Sequence, residues 1–168
     1  VTAVAVMVLA TLRFTGADLE NAILLPLVIG GIAIIASIIG TFFVRGSNVM
    51  RALYQGVIGA GVIAAIGMWF AFDGMVGEGI TSGDEVYTSG ELYWAAIIGL
   101  LVTGLLMFIT EYYTGTNWKP VQDVAKASET GHATNIISGL GKGFEATAAP
   151  VVVIVAGILL SYQAAQLF

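Results

Sequence analysis

Charged positions cut this sequence into long apolar blocks. Long stretches without Asp, Glu, Lys or Arg include 1–12, 21–44, 52–72, 92–110 and 146–168. An α-helix rises about 1.5 Å per residue, so roughly 20 apolar residues cross a bilayer core. Four blocks are long enough, and the pattern predicts spans over about 23–44, 52–72, 92–110 and 146–165. The first block, 1–12, is too short to cross. It has no initiator Met, basic leader or small-residue cleavage site, so it does not read as a signal peptide. It is expected to be the second half of a truncated span, which would make the chain an excerpt of a longer protein. A short re-entrant or interfacial segment is the alternative.

Composition agrees with the pattern. Of 168 residues, 58% are hydrophobic and 10% charged, and mean hydropathy is +0.93. Soluble domains run about 45–50% apolar and about 25% charged. Disorder requires low hydrophobicity and high net charge. The absence of cysteine removes disulfides, cysteine zinc sites and thiol nucleophiles. A net charge of −5 argues against a nucleic-acid partner. The expected fold class is all-α: a polytopic transmembrane helix bundle with four full spans and one truncated span. It forms a single membrane segment, 1–168, whose first partner is the lipid bilayer.

Basic residues orient it. Arg45, Arg51, Lys119, Lys126 and Lys142 fall in the connections 45–51 and 111–145, whereas 13–22 and 73–91 contain only Arg13. The positive-inside rule makes the first pair of connections cytoplasmic and the second pair external. Formal charge is then +1 inside and −6 outside. The external stretch 73–91 is glycine-rich and acidic, and reads as an irregular loop.

Within the spans, small residues recur at four-residue spacing, which lets helices approach closely in lipid. Such pairs are Ala33–Ser37, Ala36–Gly40 and Gly61–Ala65, and such runs are Gly56–Ala60–Ala64 and Ala95–Gly99–Thr103. No span carries a central ionisable residue, the usual mark of an ion pathway. Pro26 lies near the start of its span, and Pro150 is expected to kink the last one. Trp69, Tyr93, Trp94 and Trp118 fall near span ends, as interfacial aromatics do.

The connection 111–145 has the most detail. Thr116 or Asn117 could cap a short helix entered through Pro120 and ending near Gly131. Val121, Val124 and Ala125 would share its apolar face. From about Thr134 the chain reads as helical again, with Gly139, Gly141 and Gly143 weakening its continuity into the last span. His132 is the sole histidine and has no neighbouring nucleophile or second ligand, so it reads as structural or solvated. Glu111 reads as a boundary carboxylate paired with a lysine or a backbone donor. Asp123, Lys126 and Glu129 read as a solvated helix face. The Asp84–Glu85 pair falls in the external loop. There is no phosphate-binding G-x-x-x-x-G-K-[ST] loop. The residues therefore nominate no catalytic, cofactor-binding or metal-binding position.

Three runs nevertheless carry a resemblance. They are TEYYTGTNWKPVQDVAKASETGHATNIISGLGKGFEATAAP (Thr110–Pro150), LLPLVIGGIAIIASIIGTFFVR (Leu24–Arg45) and NVMRALYQG (Asn48–Gly56). Together with VTAVAVMVLA (Val1–Ala10), they resemble the membrane-integral, ion-pumping inorganic pyrophosphatases over essentially the whole chain. That resemblance implies a homodimer with an inner and an outer ring of helices. It implies hydrolysis of Mg²⁺-complexed pyrophosphate on the cytoplasmic side, coupled to export of H⁺ or, in some members, Na⁺. The chain would cover part of the sixth helix through the tenth, as outer-ring scaffold of a multi-pass bacterial inner-membrane protein. Its last span would lie near the subunit interface. The family's acidic Mg²⁺- and pyrophosphate-binding motifs are absent from this stretch, so no catalytic residue carries over. The segment alone is expected to be inactive, to bind no cofactor and to need the missing remainder of the same protein. A non-enzymatic membrane assembly or transporter subunit sharing the sequence is the alternative.

Overall fold

A computed structural model of the chain describes all residues except 1, 14–16, 47–48, 78, 83–84 and 166–168. Val1 and Asp84 therefore lie outside the described residues. Among the described residues, six helices run over Thr2–Arg13 (α1), Ala17–Thr41 (α2), Val49–Val76 (α3), Ser89–Thr114 (α4), Lys119–Glu129 (α5) and His132–Ala164 (α6). Between α3 and α4 come two short strands, Ile80–Ser82 (β1) and Glu85–Tyr87 (β2). Among the described residues, α2, α3, α4 and α6 are long and apolar enough to cross a membrane, and α1 contributes a shorter apolar stretch, Ala3–Leu12. The architecture is an all-α polytopic bundle with one small hairpin added. Two compact units divide it: Val1–Ile97 with Ala164–Phe168, and Ile98–Gln163.

In the first unit, α2 and α3 form an antiparallel pair whose seam is made of small residues. A Cβ built on Gly40 would lie 2.6 Å from Ala60 Cβ and 2.9 Å from the Gly56 carbonyl oxygen. One built on Gly56 would lie 2.5 Å from Val44 Cγ2, and one on Gly67 would lie 2.5 Å from Ile32 Cγ2. Ala36 and Ala52 are buried along the same seam. Without side chains at Gly40 and Gly56 the backbones come close enough for dispersion contacts, the main attraction between helices in lipid. The predicted Ala36–Gly40 and Gly56–Ala60 spacings meet here, while Ala33 and Ser37 are exposed. Large apolar side chains such as Ile34, Ile35 and Ile38 stand exposed on the outside of α2. That placement suits lipid and would be costly in water.

Farther along α3, Met68, Phe72 and Val76 form a buried cluster with Ile80 of β1. The Tyr93 ring meets Trp69 edge-on at 5.0 Å and Phe72 at 6.5 Å. The stretch 73–91, expected to be an irregular loop, thus holds the last turn of α3, a strand pair and the first turn of α4. Antiparallel pairing joins Ile80 to Tyr87, Thr81 to Val86 and Ser82 to Glu85. Ile80 plugs the buried cluster, which anchors the hairpin. α4 then starts with a capping-box contact: the Thr88 N–H donates to Glu91 Oε2 at 3.0 Å.

In the second unit, α4 and α6 meet where Gly157 faces Val102, so tightly that a Cβ at Gly157 would overlap the valine methyl. α6 is one continuous helix of 33 residues through Gly139, Gly141, Gly143 and Pro150. Its length is about 50 Å, against a hydrocarbon core of about 30 Å.

Candidate functional site

The polar chemistry of the second unit gathers where the end of α4, all of α5 and the start of α6 come together. A tight turn leads out of α4. The Gly115 N–H donates to the Glu111 carbonyl at 2.7 Å, and the Trp118 N–H to the Gly115 carbonyl at 3.1 Å. Trp118 leans on Tyr112 at 5.3 Å and Phe108 at 6.2 Å. This residue, rather than Thr116 or Asn117, occupies the N-cap of α5, with extended backbone and no side-chain cap. The reason lies in Pro120. Proline in the first turn lacks an N–H that would need a cap, and the aromatic contacts fix the chain beside it. Gln122 reaches back to the Thr116 carbonyl at 3.4 Å.

The other end of α5 is fastened by hydroxyls. Thr130 Oγ1 donates to the Ala127 carbonyl at 2.8 Å and lies 2.7 Å from Thr134 Oγ1. Thr134 Oγ1 also stands 3.0 Å from the Ala127 carbonyl and 2.8 Å from that of Gly131. Its single proton serves one acceptor at a time, so the junction is a small shared network. Gly131 has φ +135°, a region closed to residues with a Cβ, which permits the sharp turn into α6. That helix begins at His132, two residues before the Thr134 start read from the sequence.

Between these ends, α5 and α6 flank an open groove of about 570 Å³. Val121, Val124 and Ala125 line it from α5, as their shared face predicted. Asn135, Gly139, Lys142, Gly143 and Ala146 line it from α6, and Tyr113 and Thr114 from the end of α4. At its edge, Lys142 Nζ lies 2.9 Å from Glu145 Oε2 and 3.8 Å from Asp123 Oδ2. The hydrogen bond to Glu145, aided by the charges of Glu145 and Asp123, raises the Lys142 pKa above its ordinary value. A raised lysine pKa contributes stability that is complete below the ordinary value of 10.5 and lost as pH rises through the folded-state value.

The sequence-derived positions thus fall apart. Asp123, Lys126 and Glu129 are all exposed, as a solvated face would be, and Asp123 in addition reaches across to Lys142 of α6. His132 is exposed at the first position of α6. Glu111 is half-buried and, among the described residues, forms no ion pair; its carbonyl rather than its carboxylate holds the turn. Glu85 lies in β2. The Asp123–Lys142 bridge is not legible in the sequence, because eighteen residues of chain lie between its ends. No group of three or more His, Asp or Glu side chains is placed to hold a metal ion among the described residues. The two carboxylates that do converge, Asp123 and Glu145, converge on an ammonium. That donor set does not fit Mg²⁺, which needs several free oxygen ligands.

Apolar spanning helices joined by one detailed polar connection define a polytopic α-helical membrane protein. Comparison with known proteins narrows that class. The chain matches the family described as Inorganic H+ pyrophosphatase over residues 1–168, and it belongs to that family. It is 47% identical over 168 residues to a protein of Mycoplana dimorpha named "Pyrophosphate-energized proton pump 2", covering 96% of this chain and 81% of that one. A protein of the same name from Rhizobium leguminosarum bv. trifolii is 46% identical over 166 residues, covering 95% of this chain and 77% of that one. The "K(+)-insensitive pyrophosphate-energized proton pump" of Methanosarcina mazei is 43% identical over 165 residues. That match covers 96% of this chain but only 23% of the Methanosarcina protein.

Proposed function

We propose that these residues serve as membrane scaffold in a pyrophosphate-energised pump that couples Mg²⁺-dependent pyrophosphate hydrolysis to H⁺ or Na⁺ export. The family match across the entire chain is the observation that carries this reading. The names of the relatives support it, as does the share of the Methanosarcina protein that the match covers. Mg²⁺ and pyrophosphate would be bound by other parts of the pump: among the described residues no three acidic or histidine side chains gather to hold a metal ion, and the two carboxylates that converge, Asp123 and Glu145, do so on Lys142. The working unit is a homodimer in a bacterial inner membrane, with 45–51 and 111–145 on the cytoplasmic side.

Capture from native membranes tests the function. An antibody against residues 119–131 should retain Mg²⁺-dependent pyrophosphatase activity from a mild detergent extract. Capture of the polypeptide without that activity overturns the reading and favours a non-enzymatic subunit. Orientation has its own test, with no cysteine in residues 1–168 to compete for the label. Thr116→Cys should react with an impermeant maleimide only from the cytoplasmic side, and Thr88→Cys only from outside; the reverse pattern inverts the topology.

A further inference from the structure

Two kinds of contact hold α5, and they differ in what weakens them. Of its residues only Pro120 is buried, so packing contributes little to its position. Its ends are tied by uncharged groups. Trp118 rests on Tyr112 at one end, and the Thr130 and Thr134 hydroxyls share the Ala127 carbonyl at the other. Its middle is held across the gap to α6 by a charge pair, Asp123 with Lys142. At 3.8 Å that contact is too long for a hydrogen bond, whereas Glu145, on α6 itself, is hydrogen-bonded to the same ammonium at 2.9 Å. Both turns flanking α5 are glycine joints. Gly131 has φ +135°, and a Cβ at Gly115 would meet the Glu111 carbonyl oxygen at 2.8 Å.

From this arrangement we infer that α5 is a strap that rolls about its own axis between Gly115 and Gly131, with Lys142 as its latch. Closed, the ammonium faces Asp123 and Glu145 together; open, it keeps Glu145 alone. Rolling lifts Val121 and Val124 off the groove and exposes Asn135 and Gly139 of α6. The input is ionic strength. Salt screens an exposed pair at 3.8 Å and leaves the neutral ties at both ends in place, so the strap turns without coming loose. Glu145 sets the balance, because it competes with Asp123 for the one ammonium. The two carboxylates therefore act in opposite directions on the strap, which two groups that merely stabilised the fold would not do. None of this depends on the pump's chemistry.

Cysteine reactivity in the full-length protein, with any cysteine outside residues 1–168 replaced, reads the strap directly. Val124 lines the groove, while Ile137 is 70% exposed on α6 and serves as the reference. The reagent is N-ethylmaleimide, whose neutrality keeps salt from altering its approach. Raising KCl from about 0.01 to about 1 M shortens the Debye length from about 30 to about 3 Å. The rate at Val124→Cys should then rise about twofold or more, as expected for release of a surface ion pair. At low salt Asp123→Asn should raise that rate by a similar factor and abolish its salt dependence, whereas Glu145→Gln should lower it. Ile137→Cys should react at one rate throughout. A salt-independent rate at Val124→Cys, a failure of Glu145→Gln to lower it, or a change at Ile137→Cys in step with it each overturns the latch. Hydrolysis enters no readout, so failure here is distinct from failure of the proposed function.

Discussion

The α2–α3 seam and the α5–α6 groove use the same residue types for opposite ends. Gly40 is filled to contact by α3 and Gly56 by Val44 just beyond α2, whereas Gly139 and Gly143 have nothing within 4 Å of where a Cβ would stand. Both glycine pairs sit in helices, and Gly139 and Gly143 are themselves four residues apart. Small-residue spacing therefore permits close approach without selecting it. At the seam, apolar neighbours complete the contact and no polar fastening is needed. Around the groove, a threonine network and one shared lysine hold α5 beside α6 without closing the space.

Substitution can break or sharpen this contrast. The largest effect is expected for Gly40→Leu, which drives a side chain into Ala60 and the Gly56 carbonyl. Overpacking of this kind costs about 1–3 kcal/mol or more, and the detergent-solubilised protein should melt at lower temperature. Loss of the threonine fastening comes next. Thr134→Val removes a hydroxyl that serves the α5–α6 junction, and should cost about 1 kcal/mol in the same melting assay. At the open face the sign reverses: Gly141→Ala meets no neighbour and should stabilise by about 0.5 kcal/mol through reduced backbone entropy of the unfolded chain. A drop in melting temperature there as large as that of Gly40→Leu would erase the distinction between the regions. The smallest global effect belongs to Asp123→Asn, because the bridge is half exposed. It should speed amide exchange in 119–129 and leave 150–160 unchanged.

The spans were legible in the sequence because lipid imposes a length and a chemistry that charge-free blocks display directly. The apolar face of α5 was legible for the same reason, as Val121, Val124 and Ala125 recur at helical spacing. The hairpin was not, since two three-residue strands are too short to show a period and one is held by Ile80 entering a cluster built from α3. The N-cap of α5 was misread because Thr116 and Asn117 have better capping chemistry than Trp118, yet tertiary contact with Tyr112 placed the tryptophan there. Gly139, Gly141 and Gly143 were expected to weaken α6. Glycine costs about 1 kcal/mol in a helix interior, far less than leaving backbone groups unpaired near a membrane.

Pro150 gives the long last helix a mechanical property. Proline has no N–H to offer the carbonyl four residues earlier, that of Ala146, so one bond of the ladder is missing. The gap falls where α6 passes from its charged segment into its charge-free one. Bending of α6 is therefore expected to be easier at that joint than in the apolar turns beyond it. Displacement of α5 would be carried along the outer half by Thr134 and Lys142 and taken up as bending at the membrane surface, before it reaches Gly157 and its contact with Val102.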